Sequence, residues 1–439
     1  MISYIHVKNF KSFGDVYINF KDKNLKVKNL ILVYGENGIG KSNFTDIFDF
    51  LSLTSDTMDV RDLIQELIKQ GFEKENGNQK FIMDKLKEEM LDMEQIIKKY
   101  KMIDSDDHMY VEYGFLLNSD EGKYIMEFDD KSIIYECLEY RLERRRGRFF
   151  EIKKDKVFLS PKVFVDSKAI DELKSLISQF WGKHTFLSIL KHEYQDKADN
   201  YFDDKISRKL YDIINEFDRM TVLRRNGDNH RIRIPKGRNF NINRGQIKIS
   251  DEDFLDQSEN MINTFLSSVY DDIEEAVYKR EYEEDSIHYQ LLVKKEIYGK
   301  VRTLKFSQES TGVRASVMLM LVLLGSMKND VIVIDEFDTG IHDLLIKDMI
   351  MSIANLINGQ LILTTHNTGL MESGINKESF YVINKKEDGN KEIECILKYD
   401  NKINPKTNIR RQYLNGTYQG VPESKKIDYQ KLIKDDEEE

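Results

Sequence analysis

The sequence predicts an α/β fold: a parallel sheet carrying a phosphate-binding loop, an antiparallel sheet at the N-terminus, and a large mixed helical and β insertion. Three runs of residues carry that prediction. Gly35-Glu36-Asn37-Gly38-Ile39-Gly40-Lys41-Ser42 fits the spacing G-x-x-x-x-G-K-[ST]. It lies between the apolar run Asn29 to Tyr34, which reads as a buried strand, and Asn43 to Leu53, where Phe44, Ile47, Phe48 and Leu51 recur at helical spacing. The second run is Val331-Ile332-Val333-Ile334, four β-branched residues ending in Asp335-Glu336. The third is Gly359 to Thr365, an apolar strand ending in Thr364-Thr365-His366. Unbroken apolar runs mark parallel strands buried on both faces, and groups at their C-terminal ends face the ligand.

Each run brings its own chemistry. Gly35, Gly38 and Gly40 let backbone N–H groups turn toward phosphate oxygens, and the following helix N-terminus favours negative charge. Asn37 and Asn43 flank that cradle as further nucleotide-binding candidates. Lys41 is placed to reach the β- and γ-phosphates and Ser42 to ligate Mg²⁺. Asp335 would hold Mg²⁺, mainly through water, and Glu336 would polarise the attacking water. His366 falls beside the γ-phosphate if the three strands are neighbours. A second anion-binding turn is expected at Ser307-Gln308-Glu309-Ser310-Thr311-Gly312, just before the apolar helix Val317 to Leu324.

Composition narrows the classes. At 439 residues there is room for two or three domains, and with 4 prolines long disordered linkers are not expected. The net charge of -10 excludes a chain that is basic overall, so any DNA or RNA contact needs a local patch. Cys137 and Cys395 are far apart and make neither a metal-spaced cluster nor a disulfide framework. No stretch approaches the ~18 apolar residues of a membrane span. Met1 to Phe20 alternates like a strand rather than a leader, so a cytoplasmic protein is the expectation.

In chain order, residues 2–8 and 14–20 read as a hairpin around Lys11 to Gly14. Residues 55–103 read as charged helices, including Lys85 to Met90. From Met109 to Leu159 the period shifts to strand, with turns expected at Asp120-Glu121-Gly122 and Asp129-Asp130. Helix returns over 167–223. A basic, short-stranded stretch follows to residue 250, with turns at Asn226-Gly227-Asp228 and Pro235-Lys236-Gly237. A helix capped by Asp251 is expected to run to Tyr278, then strands at 287–298 and 301–306, and a crossover helix from Leu344 to Ile357. The expected units are 1–54, the N-terminal lobe; 55–284, the insertion; 285–400, the C-terminal lobe; and 401–439, a helix and turn with an acidic end.

Taken together, Ile5-His6-Val7-Lys8-Asn9-Phe10-Lys11-Ser12-Phe13, the P-loop, Ser307 to Gly312, Asp335 to His342 and Thr364 to Asn367 resemble the ABC-type ATPase head of the SMC/RecF/OLD group. The form resembles small AAA-family ATP-binding proteins of bacterial anti-phage systems. The resemblance covers roughly residues 1–54 and 285–400. It implies ATP and Mg²⁺ as cofactors and a homodimer or higher homo-oligomer, each ATP held between one P-loop and the partner's signature turn. Ser307 and Gly312 would then bind the partner's γ-phosphate, with Ser310 a further nucleotide-binding candidate; Asp338 would communicate across the interface, His366 would be the switch histidine and Glu336 the general base or water-orienting group. The signature departs from Leu-Ser-Gly-Gly, and no Q-loop glutamine is apparent after Leu53.

Arg410-Arg411-Gln412-Tyr413-Leu414-Asn415-Gly416-Thr417-Tyr418-Gln419-Gly420-Val421-Pro422 is similar to the tail of ATPases encoded beside a separate effector, a TOPRIM nuclease in abortive-infection and PARIS-like systems. The same stretch also suits a helix and turn packed on the ATPase core. Arg224, Arg225, Arg231, Arg233, Arg238 and Arg244 form a basic stretch that suits phosphate backbones, an acidic partner or internal ion pairs. The leading expectation is an ATP-dependent sensor or scaffold that holds and releases a toxic effector. A RecF-like DNA-binding ATPase of repair is the alternative.

Overall fold

The computed structural model of the chain describes residues 1–69, 91–195, 205–226, 229–233, 241–399 and 407–421. For residues 67, 68, 194, 195, 225, 226 and 229–233 only the backbone is described. The Lys85 to Met90 run, the Pro235-Lys236-Gly237 turn, Arg238 and the acidic end therefore lie outside the described residues.

The chain opens with strands β1 (Ile2–Phe10) and β2 (Phe13–Asn19), then β3 (Leu30–Tyr34) and helices α1 (Lys41–Ser55), α2 (Thr57–Lys69) and α3 (Met93–Tyr100). Strands β4 (Met109–Leu117), β5 (Asp120–Phe128), β6 (Ile133–Arg141), β7 (Arg146–Lys153) and β8 (Lys156–Leu159) follow. Helices α4 (Ser167–Phe180), α5 (Phe186–Gln195) and α6 (Arg208–Asp218) lead to β9 (Thr221–Asn226) and β10 (Asn229–Arg233). Next come β11 (Arg244–Lys248), α7 (Glu252–Val269), β12 (Ile273–Tyr282), β13 (Ser286–Ile297), β14 (Lys300–Lys305) and α8 (Thr311–Ser326). The chain continues through β15 (Val331–Ile334), α9 (Asp343–Ile353), β16 (Gln360–Thr364), β17 (Phe380–Lys385), β18 (Lys391–Cys395) and α10 (Ile409–Leu414).

The described strands form three sheets. The central one has the order β10-β9-β15-β16-β3-β17-β18, parallel from β9 to β17 with antiparallel edges. Its residues alternate between two cores. Ile31, Val33, Val333 and Ile362 face the core shared with α1 and the antiparallel sheet, whereas Leu32, Tyr34, Ile334 and Leu363 face the core beneath α9 and α10. Burial on both faces is why these strands read as unbroken apolar runs. The expected α/β head with a parallel sheet beside an antiparallel one is thus the observed fold.

The antiparallel sheet corrects one expected boundary. Its order is β2-β1-β4-β5-β6-β7-β8, with Val7 opposite Val111 across the β1–β4 pair. Residues 109–159, assigned from sequence to the insertion, therefore continue the N-terminal hairpin in one sheet. Pairing across a hundred residues leaves no local trace, since both partners alternate in the same way. The first turn also moves. Leu117 pairs with Asp120, and Asn118 and Ser119 take φ values of 48° and 66°. Two positive φ angles in a two-residue loop match the twist of a hairpin. Gly122 is inside β5, where a Cβ would come within 2.2 Å of the Phe115 ring.

The third sheet places β13 between β12 on one side and β11 and β14 on the other, backed by α7. Here α7 stops at Val269, and the helix expected as far as Tyr278 gives way to strand over Ile273–Tyr282. A bulge between Ile273 and Glu275 sets the buried positions at Ile273, Ala276 and Tyr278. That spacing imitates one helical turn, which explains the misreading. The crossover helix likewise ends at Ile353 rather than Ile357.

Candidate nucleotide-binding site

The glycine loop leaves the C-terminal end of β3 between β16 and β17. Gly38 and Gly40 hold φ at 78° and 119°, backbone that side chains rarely adopt, and Gly40 caps α1 by accepting from Phe44 N at 2.9 Å. The Lys41 side chain is folded into the loop, its Nζ donating to Gly35 O and Glu36 O, each at 3.0 Å. Ser42 is exposed in the first turn, and Asn43 donates to Ser12 Oγ at 2.6 Å across to the β1–β2 turn. Asn37 is exposed at the loop tip.

Strand register brings the acids to this loop. Ile334 pairs with Leu363, so Asp335 stands level with Thr364. Thr364 Oγ1 donates to Asp335 Oδ1 at 2.6 Å and accepts from Glu336 N at 2.8 Å. Glu336 sits at φ 48°, a strained conformation for a residue with a Cβ. Thr365 Oγ1 donates to Asp338 Oδ2 at 2.8 Å, and His366 N donates to the same oxygen at 3.3 Å. Burial pulls the Lys41 pKa below its ordinary value, opposed by the charges of Glu336, Asp335, Asp338 and Glu36. The protein around His366, then the Lys41 ammonium, hold that imidazole below its ordinary pKa against the same three acids. Lys41, Asp335, Glu336, Asp338 and His366 therefore share one electrostatic field.

The residues present fit a nucleotide and its metal. The loop has left-handed glycines and an ammonium turned onto backbone carbonyls, while one Asp335 oxygen is already fixed by a hydroxyl.

The second expected anion-binding turn, Ser307 to Gly312, lies at the start of α8. Ser310 caps α8, its Oγ accepting from Val313 N at 3.3 Å, and Ser307 and Ser310 are exposed. Gly312 packs on the Asp338 loop: a Cβ there would lie 3.1 Å from Gly340 O. Val313 and Val317 of α8 enter the core of the third sheet, while Leu319 and Leu323 enter the core under the central sheet. The helix thus joins the two.

A family model described as "AAA domain, putative AbiEii toxin, Type IV TA system" matches residues 96–372, well over half the chain. The chain belongs to this family. The matched span holds Asp335, Glu336 and His366 and begins after the P-loop. No curated protein matches the chain in sequence. Among solved structures it is similar to the SMC head domain from Thermotoga maritima, with 15% identity, a TM-score of 0.36, and 90% of this chain and 98% of that one covered. An Smc head bound to the C-winged helix domain of ScpA gives 14%, 0.43, and 90% and 97%. An Smc head with an extended coiled coil, bound to the C-terminal domain of ScpA derived from Pyrococcus furiosus, gives 14%, 0.42, and 90% and 95%. At these scores the likeness bears on neither substrate nor partner.

Of the basic stretch of this AAA-family chain, the side chains of Arg224 and Arg244 are described, and they go different ways. Arg224 points inward: its guanidinium pairs with Asp46 and, at 3.3 Å, with Asp49, both on α1. Lys11 also pairs with Asp46, and Tyr100 Oη donates to Asp49 at 2.9 Å. Arg244 is exposed on β11, in a different sheet, beside Lys279, Glu281 and His288. Arg225, Arg231 and Arg233 lie on β9 and β10, with side chains outside the described residues. The reason is topological: β9 is a core strand beside β15, with Val222 opposite Val333, so its first charged side chain meets the P-loop helix. Sequence reading missed this strand. Its signal was Thr221-Val222-Leu223, too short to stand out before a run of arginines. Its end lies level with Asp335 and offers Arg224, not a glutamine.

The tail docks on the head. Tyr413 meets Tyr34, the last residue of β3, with ring centroids 5.7 Å apart, and Tyr418 is buried. Arg410 bonds Thr368 and Glu372 just beyond His366. Among the described residues no helix is long and apolar enough to cross a membrane.

Proposed function

We propose that the chain is a Mg²⁺-dependent ATPase whose heads dimerise around ATP and that it serves as the sensor or scaffold of a two-part anti-phage system. The observation that carries the enzymatic half is the convergence of Lys41, Asp335, Glu336, Asp338 and His366 on one glycine loop. In this reading Gly35, Gly38, Gly40, Asn37 and Asn43 cradle the nucleotide. Lys41 leaves its two carbonyls for the β- and γ-phosphate oxygens. Ser42 and Asp335 would hold Mg²⁺, which supplies charge neutralisation of the phosphates. Glu336 orients the attacking water and accepts its proton. Asp338 holds the turn that carries His366, whose neutral ring faces the terminal phosphate. Ser307, Ser310 and Gly312 serve the nucleotide of the partner copy, because an exposed cap at the start of α8 suits a ligand brought from outside.

The defence half rests on membership of a family described by a toxin–antitoxin system and on the likeness of the tail motif to ATPases encoded beside a nuclease. A separate effector, of TOPRIM type, would be held in the ATP-bound state and released on turnover, with residues 55–284 contributing to trigger or effector recognition. The RecF-like alternative is weakened by the inward course of Arg224.

Glu336→Gln tests the enzymatic half. It is expected to bind ATP, to lower turnover about 10²-fold or more, and to elute as a dimer with ATP. Undiminished turnover would remove Glu336 from its assigned role.

A further inference from the structure

Lys391 stands over the P-loop from a direction that no motif marks. It is the first residue of β18, and the β17–β18 hairpin is stapled to the β1–β2 turn by Asn390. Asn390 Oδ1 accepts from Gly14 N at 3.1 Å and Lys391 N at 2.8 Å, and its Nδ2 donates to Asp15 O at 3.0 Å. This clamp brings Lys391 Nζ to 2.7 Å from Ser12 Oγ, the same hydroxyl that accepts from Asn43. A Cβ placed on Gly40 would lie 3.2 Å from Lys391 Nζ and 3.3 Å from Ser12 Oγ. The ammonium also lies 5.7 Å from the centre of the Phe13 ring. Among the described residues no carboxylate lies within ion-pairing distance of it. A half-buried cation held beside a phosphate-binding loop, with a like charge from Lys385 as its neighbour, lacks its counter-charge.

We propose that Lys391, with Ser12 and Asn43, binds the ribose-proximal phosphate of the nucleotide. The direction of the phosphate chain follows from the two lysines. Lys41 turns toward Asp335, Glu336 and Asp338, which marks the terminal phosphate. Lys391 stands on the opposite flank, against Gly40 and the first turn of α1. A nucleotide lying along the loop therefore presents its last phosphate to Lys41 and its first to Lys391. This assignment rests on the ATP-binding reading above and extends it to a positioning residue outside the P-loop.

The test is calorimetric titration of ADP and ATP into wild type, Lys391→Gln, Lys391→Arg and Lys41→Ala, with melting curves without nucleotide. Gln keeps a donor for Ser12 and removes the charge, so a purely structural lysine would be replaced without loss. The expected result is that Lys391→Gln weakens ADP and ATP equally, by about tenfold, with Lys391→Arg near wild type. Wild-type ADP affinity in Lys391→Gln, or equal losses in the Gln and Arg variants, would overturn the proposal. If wild type itself fails to bind nucleotide, the ATPase reading falls first. If wild type binds, Lys41→Ala fails and Lys391→Gln binds normally, only the Lys391 assignment falls.

Discussion

Thr364 has one hydroxyl and two obligations. It donates to Asp335 and accepts from the Glu336 N–H, so the Asp335 carboxylate and the Glu336 backbone are fixed by a single atom. Thr364→Val keeps the shape and leaves both groups unpaired in a buried place. The expected loss is about 1–3 kcal/mol of stability, read by denaturant titration, with a fall in ATP turnover beyond any fall in binding. His366 gives a prediction in pH. Its folded pKa lies below the ordinary imidazole value of 6.5, so the midpoint at which the ring gains a proton lies below that value. Turnover should decline on acidification with a midpoint below pH 6.5. A decline centred above 6.5 would exclude His366 as the titrating group. These residues were legible in the sequence because each motif is contiguous and its chemistry is carried by residue type. Lys391 and Arg224 were not, because a lone lysine in a charged hairpin and an arginine in a basic run look like solvated surface until the sheets place them.

At the scale of elements, α1 is tied to β9 by the ion cluster of Arg224, Asp46, Asp49 and Lys11. Replacing Arg224 with Met removes one cation from the buried Asp46 and the partly buried Asp49, a change that costs about 3 kcal/mol. Equilibrium unfolding checks it, and a neutral outcome would return Arg224 to the surface patch. A second tie holds α5. Glu136, fully buried on β6, accepts from Tyr124 Oη, Trp181 Nε1 and the first N–H groups of α5, Phe186 and Leu187. Burial, only partly offset by those bonds, pushes its pKa up from 4.5 to about 6. Between those values the folded chain holds more protons than the unfolded one. The stabilising contribution of the protonated acid, complete below 4.5, is therefore lost as the pH rises through 6, about 2 kcal/mol in all. Glu136→Gln should flatten that slope in melts taken between pH 4.5 and 6. Strands with continuous apolar runs were readable one by one. Their order was not, since β4 finds β1 and β9 finds β15 across a hundred residues, and pairing partners share no local signature.

Over the whole molecule, the glycine loop leaves the central sheet while the Ser310 turn opens α8 against the third sheet, and the two are linked by α8 and by the close approach of Gly312 to Gly340. On the proposed function, Ser310 completes the site of a second copy. Mixing two variants tests this directly. Lys41→Ala disables one chain's P-loop and Ser310→Arg blocks the other's signature turn, so each alone should be inactive. A statistical mixture forms hybrid dimers in half of all cases, each with one intact site, and should recover about a quarter of wild-type ATP turnover. Recovery at that level, rising and falling with the mixing ratio, is the predicted result. A mixture as inactive as its components would contradict the shared site.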